Sequence, residues 1–224
     1  MPNKQPQIVI LLGRSGCGKG TQAQSLQKEF AFNYLGSGKV LRKHAQDKDF
    51  TGRRLKKVLD DGTLVPVFLI SRIWSQEIEE LKENGSFKGL LIDGSPRRLL
   101  EARLMSDIFK WYGWKNIKVI LIDISEKEAF DRLSKRRVCE KCGRVIPWLN
   151  KFKELKRCNK CGGELKTRSD DNHEAIQSRM NYYKKEVVPV IKYYKKKRCL
   201  ITIDGERPIE EVYQDIAKQI AGGK

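Results

Sequence analysis

The sequence lacks long hydrophobic runs, internal repeats and low-complexity segments. Its N-terminal residues are polar, and the apolar run that follows them, Ile8–Leu12, ends after five residues in a glycine-rich stretch. A helix that crosses a bilayer needs about 20 apolar residues. These absences exclude a transmembrane anchor, a signal peptide and a repeat architecture. We therefore expect a cytoplasmic protein.

Acidic residues and histidines are also scarce. The 224 residues include 46 Lys and Arg against 28 Asp and Glu, which gives a formal net charge of +18. The two histidines, His44 and His173, lack a spacing typical of metal ligands. A strongly basic chain favours anionic partners such as nucleotides, nucleic acid or a membrane surface, and the charge alone does not choose among them.

Short apolar runs alternate with helical patterns along most of the chain. Such runs are typical of strands buried on both faces of a parallel sheet, and the alternation predicts a doubly wound α/β sheet flanked by helices. The clearest helical patterns cover residues 176–194, with a kink expected at Pro189, and 209–220, with Pro208 at the start. The predicted strands are Ile8–Leu12, Leu90–Asp93, Ile117–Asp123, Leu200–Asp204 and, with a weaker pattern, Asn33–Gly36.

Two segments interrupt this alternation. Residues 38–68 are basic and helical in pattern, with no strand between them. Residues 135–171 contain four spaced cysteines and little apolar periodicity. We interpret both segments as insertions on a core formed by residues 1–37, 69–134 and 172–224.

A glycine-rich stretch follows the first predicted strand. Gly13–Thr21 fits the pattern G-x-x-x-x-G-K, with a strand before it and a helix after it. In such a loop the backbone N–H groups surround phosphate oxygens, and the start of the following helix adds positive partial charge. We expect Lys19 to bridge terminal phosphate oxygens and Thr21 to help position Mg²⁺ or a phosphate. The predicted phosphate-binding residues are Gly16, Gly18, Lys19, Gly20 and Thr21.

Four of the six cysteines have the spacing of a metal site. They follow the pattern C-x2-C-x15-C-x2-C, which lets two turns supply four thiolates to one tetrahedral Zn²⁺. Four protein ligands leave no open position, so the zinc would be structural; iron also suits a four-sulfur site. The two remaining cysteines, Cys17 and Cys199, lack the spacing to join it. The predicted ligands are Cys139, Cys142, Cys158 and Cys161.

Several motifs together resemble the adenylate kinase family. They are Gly13–Thr21, Gly36–Arg42, Leu91–Arg97 and Gly162–Asp171, which ends in R-x-D-D. The resemblance implies a P-loop NTPase-type sheet of five strands, a helical NMP-binding insertion at 38–68 and a zinc-bearing LID at 135–171. It also implies reversible, Mg²⁺-dependent phosphoryl transfer from ATP to AMP, giving two ADP. We expect a monomer with no membrane partner and no specific nucleic-acid partner.

The resemblance also implies a role for each matching residue. Asp93, at the end of a predicted central strand, would order Mg²⁺ and its waters, and Arg42 and Arg97 would hold the acceptor phosphate. Asp170 and Asp171 would hold the LID arginines in place. The implied catalytic residues are Lys19, Asp93, Arg97, Arg136, Arg168 and Arg179. The implied ATP site consists of the phosphate loop with Arg132, Arg136 and Arg207. The implied NMP site consists of Ser37, Arg42, Gly94, Arg97, Glu101, Arg168 and Arg179.

Four positions depart from the family pattern. Ser15 stands where proline is usual, Lys39 where aspartate is usual, and Lys135 replaces a hinge glycine. Glu101 occupies the position of a glutamine that reads adenine. An ionised carboxylate only accepts hydrogen bonds, which suits the two donors of guanine better than the donor and acceptor of adenine. Either this site takes GMP or several nucleotides, or Glu101 pairs with Arg97, Arg98 or water.

A different class of function also fits part of the sequence. The net charge, the cysteine pattern and the basic run Lys195–Arg198 are compatible with a non-enzymatic protein that binds RNA through its phosphates. That interpretation leaves Asp93 and the ordered arginines of the LID segment unexplained. The sequence therefore favours the kinase.

Overall fold

A five-stranded parallel sheet forms the centre of the protein. The computed structural model describes residues 5–83 and 87–222. The strands are β1 (Gln7–Leu12), β2 (Asn33–Gly36), β3 (Gly89–Asp93), β4 (Asn116–Asp123), β5 (Arg137–Cys139), β6 (Val145–Ile146), β7 (Leu165–Thr167) and β8 (Leu200–Asp204). The central sheet has the order β2-β3-β1-β4-β8, with every neighbouring pair parallel. The five predicted strands and the fold class are confirmed.

The strands of this sheet are apolar because both of their faces are covered. On β1, Ile8 and Ile10 belong to one hydrophobic cluster, and the alternate residues Val9 and Leu11 belong to the other. All four side chains are fully buried. Because the strands are parallel, their carboxyl ends meet at one edge, where Asp93 lies opposite Leu11. Ligands of such sheets bind at this edge.

Helices cover both faces of the sheet. They are α1 (Lys19–Phe30), α2 (Ser37–His44), α3 (Phe50–Asp60), α4 (Val67–Glu83), α5 (Leu99–Trp111), α6 (Glu126–Ser134), α7 (His173–Tyr182), α8 (Val188–Lys196) and α9 (Ile209–Ala221). Pro208 lies at the N-cap position of α9, as predicted. No helix within residues 5–83 and 87–222 combines the length and apolar character that a bilayer crossing requires.

The helical pattern at residues 176–194 forms two helices joined by a wider turn. Between α7 and α8, Tyr183–Val187 form a π-helical turn, and Pro189 lies in the first turn of α8. Proline has no N–H to donate to the carbonyl four residues earlier. The irregularity expected at Pro189 therefore falls in the turn that precedes it, and this turn follows Tyr182 directly.

The two predicted insertions take different structures. Helices α2 and α3 lie between β2 and α4, and the described residues there contain no strand. Strands β5, β6 and β7 form a small antiparallel sheet of order β6-β5-β7, inserted between α6 and α7. The division of the chain into CORE, NMP-binding and LID domains remains a prediction.

Candidate active site and metal centre

The phosphate loop connects β1 to α1 through three glycines with positive φ. These are Gly13, Gly16 and Gly18, with φ of 140°, 89° and 98°. A Cβ at Gly13 would stand 2.4 Å from the carbonyl oxygen of Ile122, so this position also needs glycine for close packing against β4. The loop thus has a conformation that side chains at these positions would disturb.

Lys19 is folded back onto the phosphate loop. Its Nζ donates hydrogen bonds of 2.9 Å to the carbonyl oxygens of Gly13 and Arg14. The Sγ of Cys17 lies 3.5 Å from the same Nζ. These partners are uncharged, so none of the hydrogen bonds of Lys19 within the described residues neutralises its ammonium charge, which is available to a phosphate.

Asp93 ends strand β3 beside the start of α1. Its Oδ2 accepts a 3.0 Å hydrogen bond from the hydroxyl of Tyr34 on the neighbouring strand β2. Burial, followed by the charge of Asp93, raises the pKa of Tyr34, so this phenol remains a donor at neutral pH. A Cβ on Gly20 would lie 3.5 Å from the Asp93 carboxylate. Asp93 is therefore oriented towards the helix that begins at the phosphate loop.

Arg97 lies in the loop that follows β3. Its Nε donates to the carbonyl oxygen of Gly94 at 2.8 Å, and its Nη1 donates to the hydroxyl of Tyr182 at 2.8 Å. Together these bonds fix the guanidinium plane. No sequence motif pointed to Tyr34 or Tyr182, and both reach the site from elements distant in sequence from the groups they contact.

Two aspartates hold three arginines at the end of the LID segment. Both oxygens of Asp171 accept from Arg136, at 2.7 and 2.8 Å, and Oδ1 also accepts from Arg179 at 2.7 Å. Asp170 accepts from Arg168 at 2.8 Å and from Arg179 at 3.1 Å. Burial raises the pKa of Asp170, but the arginine charges lower it, and the net direction is downward. The predicted aspartate–arginine contacts are therefore present.

Other cations surround this network. Desolvation in the cleft, followed by repulsion from Arg168, lowers the pKa of Arg42 to about 10, so Arg42 stays protonated at neutral pH. Arg132 is buried, and its Nε donates to Glu128 at 2.6 Å. Arg207 instead forms ion pairs with Asp204 and Asp215.

Glu101 lies in the first turn of α5, with its side chain 3% exposed. Its Oε2 accepts a 2.8 Å hydrogen bond from the backbone N–H of Arg97, while Oε1 is buried without a partner among the described residues. Burial raises the pKa of this carboxyl, and the N–H of Arg97 and the hydroxyl of Ser95 oppose the shift only in part. The nearby hydroxyls of Ser37 and Ser95 are joined by a 2.7 Å hydrogen bond.

One cleft of about 1000 Å³ collects these groups. Trp148 of the LID segment forms part of its wall, and the charged ends of Lys135 and Arg137 lie 5.9 and 5.4 Å from its ring centre. Arg207 is not among the described residues of the wall, and its place in an ATP site stays a prediction. The predicted residues that line the cleft are Gly16, Gly18, Lys19, Gly20, Thr21, Ser37, Arg42, Asp93, Gly94, Arg97, Glu101, Arg132, Arg136, Arg168 and Arg179.

The four predicted metal ligands come together outside the central parallel sheet, in the segment of β5, β6 and β7. Their sulfur atoms all lie within 4.8 Å of one another, with 3.4 Å between Cys139 and Cys161 and 3.7 Å between Cys142 and Cys158. A tetrahedral zinc with Zn–S bonds of about 2.3 Å requires sulfur separations of about 3.8 Å. The donor set and the spacing therefore fit a structural zinc.

The backbone of the two cysteine turns is the same. The N–H of Gly143 donates to the carbonyl of Cys139 at 2.9 Å, and the N–H of Gly162 donates to the carbonyl of Cys158 at 2.8 Å. Both glycines have positive φ, 67° and 70°. Each turn therefore needs its glycine, and the two turns together bring four sulfur atoms to one site.

Loss of one cysteine ligand is expected to remove the metal. In the purified protein we expect about one zinc per chain, and Cys142→Ser should reduce this to a small fraction and lower the melting temperature, because metal binding stabilises a segment with little core of its own. Metal analysis and calorimetry measure both effects. Cys199→Ser is the control, since Cys199 lies outside the cluster. Stoichiometric zinc in Cys142→Ser would contradict the assignment.

The sheet order, the phosphate loop at its carboxyl edge and the cleft define an α/β protein of the P-loop kinase type. A family model described as adenylate kinase matches residues 11–199. The chain belongs to the adenylate kinase family, whose members are nucleoside-monophosphate kinases, and the family predicted from the motifs is confirmed.

Full-length relatives agree with this assignment. An adenylate kinase of Caldanaerobacter subterraneus subsp. tengcongensis is 37% identical over 217 residues, which cover 96% of this chain and 97% of that protein. An adenylate kinase of Methanocella arvoryzae is 37% identical over 94% of this chain and 97% of its own length. One of Chlamydia muridarum is 34% identical over 96% of this chain and 87% of its own length.

Proposed function

We propose that this protein catalyses reversible, Mg²⁺-dependent transfer of a phosphoryl group from ATP to AMP, giving two ADP. The observation that carries the proposal is a cleft lined by the phosphate loop, a strand-end carboxylate and several arginines. Phosphoryl transfer needs positioned reactants and stabilised negative charge more than it needs covalent chemistry from the protein.

The donor side of the cleft would hold ATP. Backbone N–H groups of the loop would surround its phosphates, and Lys19 would exchange its carbonyl partners for phosphate oxygens. Asp93, oriented by Tyr34, would order the waters of Mg²⁺, which keeps several of them in such sites. When bound, Mg²⁺ would supply neutralisation of the phosphate charges. Arg132 would stack on the donor base.

The acceptor side would hold the monophosphate. Arg97, fixed by Gly94 and Tyr182, and Arg42 would bind the acceptor phosphate. Arg168 and Arg179 reach the same cleft from the LID end and from α7, where they would stabilise the charge of the moving group. No general base is required, because the acceptor phosphate is already anionic.

The buried environment of Glu101 favours adenine. Burial disfavours the charged carboxylate, and a neutral carboxylic acid offers one O–H donor and one C=O acceptor. Oε2 already accepts from the N–H of Arg97, so the hydrogen belongs on the unpartnered Oε1. The O–H would donate to N1 of adenine, and the C=O would accept from its amino group. Ionised Glu101 would instead complement guanine, and GMP is therefore the second candidate acceptor.

The affinity for AMP should depend on the protonation of Glu101. As pH rises through its raised pKa, the O–H donor is lost, and the KM for AMP should increase about tenfold, the value of one hydrogen bond. In Glu101→Gln the amide keeps a donor and an acceptor, so the KM should stay constant over the same range. Glu186→Gln is the control. Glu186 lies in the turn Tyr183–Val187 and pairs with Arg98, the residue before α5. A Glu101→Gln profile identical to the wild type would contradict this explanation.

The proposed function is tested by ATP-dependent phosphorylation of AMP, GMP, CMP and UMP in parallel, with and without Mg²⁺. We expect AMP to dominate and turnover to require Mg²⁺. Dominant GMP turnover would show that Glu101 acts as a carboxylate. Absence of turnover with every acceptor would overturn the proposal and favour the RNA-binding interpretation.

A further inference from the structure

Tyr182 lies at the junction between the phosphate loop and the acceptor arginine. Its hydroxyl accepts from Nη1 of Arg97 at 2.8 Å and lies 3.4 Å from the Oγ of Ser15 in the loop. Lys19, Arg97 and Tyr182 all line the large cleft. The same three residues also line a small cavity of about 20 Å³. The hydroxyl therefore lies within reach of both the loop that would hold ATP and the arginine that would hold the acceptor phosphate.

Among the described residues, the hydrogen of this hydroxyl has no acceptor closer than the Oγ of Ser15 at 3.4 Å. A phenol has one hydrogen to donate, and its bond with Arg97 uses only the oxygen as acceptor. Ser15 is the remaining neighbour, and 3.4 Å is long for an O–H···O bond, for which about 2.5–3.0 Å is usual. An anionic oxygen between Lys19 and Arg97 would be the better acceptor.

The charges around Tyr182 indicate the same kind of ligand. Burial raises the pKa of this phenol, but the charge of Arg97, the hydroxyl of Ser15 and the charges of Arg179 and Lys19 lower it, and the net direction is downward. These cations come from three elements: the loop after β3, α7 itself and the start of α1. Such a field stabilises an anion beside the hydroxyl and strengthens the O–H as a donor.

The backbone next to Tyr182 is irregular. Tyr182 is the last residue of α7, and the π-helical turn Tyr183–Val187 begins directly after it. Tyr183 packs under the guanidinium of Arg14, 4.2 Å from its ring centre, so adjacent tyrosines contact the loop in different ways. Single π turns inside helices are frequent at functional sites.

We propose that Tyr182 is a further catalytic residue of the proposed kinase reaction, which donates its hydroxyl hydrogen to the phosphoryl group in transfer while its oxygen holds Arg97. This inference rests on the proposed function. It adds a neutral hydrogen-bond donor to the set of cations that face the moving group.

Removal of the hydroxyl tests the inference. Tyr182→Phe should lower kcat about 100-fold, as loss of one transition-state donor does, with the KM values for ATP and AMP little changed. Tyr193→Phe is the matched control. Tyr193 lies on α8, and its hydroxyl is 3.0 Å from the Oγ of Ser106 on α5. An inactive wild type would overturn the proposed function and this inference together. An active wild type with an unchanged Tyr182→Phe would overturn this inference alone.

A second background separates direct donation from an effect through Arg97. Arg97→Lys removes the hydrogen bond from the guanidinium to the Tyr182 hydroxyl. If the hydroxyl touches the phosphoryl group, the double variant Arg97→Lys with Tyr182→Phe should have a kcat at least tenfold lower than Arg97→Lys alone. No further loss in the double variant would show that Tyr182 acts only by positioning Arg97, and direct donation would be overturned.

A third measurement applies even if Tyr182→Phe fails to fold. A chain with 3,5-difluorotyrosine at position 182 keeps the hydroxyl and nearly the same shape, but its phenol is more acidic. Since the ionised phenolate cannot donate, kcat should fall as pH rises through the pKa of this phenol, and in the difluorotyrosine chain the fall should occur at lower pH. An unmoved pH profile would contradict the inference.

Discussion

Asp171→Ala is expected to lower the free energy of unfolding by about 3–5 kcal/mol, because it leaves the charge of Arg136 without its carboxylate partner and removes one of the two carboxylates that pair with Arg179. The Asp171 side chain is 0% exposed and accepts hydrogen bonds from Arg136 and Arg179. Burial already lowers the pKa of Arg136, which shows that its charge is costly there. Without the carboxylate, two guanidinium groups would repel each other in a desolvated site.

The comparison for Asp171→Ala is an ion pair on the surface. Asp131 pairs with Lys135, and both side chains are about half exposed, so Asp131→Ala should cost at most about 1 kcal/mol. Urea unfolding of both variants measures the difference. Equal losses in the two variants would contradict a structural role for Asp171.

Lys19→Ala is expected to reduce kcat by about 10³-fold, which corresponds to about 4 kcal/mol of transition-state stabilisation. The Lys19 ammonium has uncharged partners, the carbonyl oxygens of Gly13 and Arg14 and the Sγ of Cys17, and in the proposed reaction it would neutralise charge on the donor phosphates. The variant should fold normally, since the glycine turns that shape the loop remain.

Steady-state turnover of ATP and AMP checks this prediction. Lys56→Ala on α3 is the control, because Lys56 is exposed and lies outside the cleft wall. Retention of more than about a tenth of wild-type kcat in Lys19→Ala would mean that the backbone of the loop alone carries the phosphate interaction.

The sheet could be predicted from the sequence because its strands are short, continuous and buried on both faces. The glycine pattern and the cysteine spacing were equally informative, since both depend on local backbone geometry. The wide turn at Tyr183–Val187 was not predictable. Its position depends on how two helical segments pack on the sheet, whereas the proline pattern marks only the break in hydrogen bonding at Pro189.

The candidate site was predictable only where residues belong to local motifs. Tyr34 and Tyr182 belong to none, and they reach Asp93 and Arg97 through tertiary structure. The state of Glu101 also required the structure. Its sequence position left open a charged group that suits guanine or a carboxylate paired with Arg97, Arg98 or water, but its burial raises its pKa against the opposing N–H of Arg97.

Trp148 gives the unlabelled protein an optical signal. Of the four tryptophans, all within the described residues, Trp148 is the one in the cleft wall. Trp74 and Trp114 are buried in the core, and Trp111 is 82% exposed on α5. A nucleotide bound as proposed would change the solvent and the cations around Trp148, the tryptophan that lines the cleft. Its fluorescence should therefore report occupancy of the site, and stopped-flow measurements would follow binding without a dye.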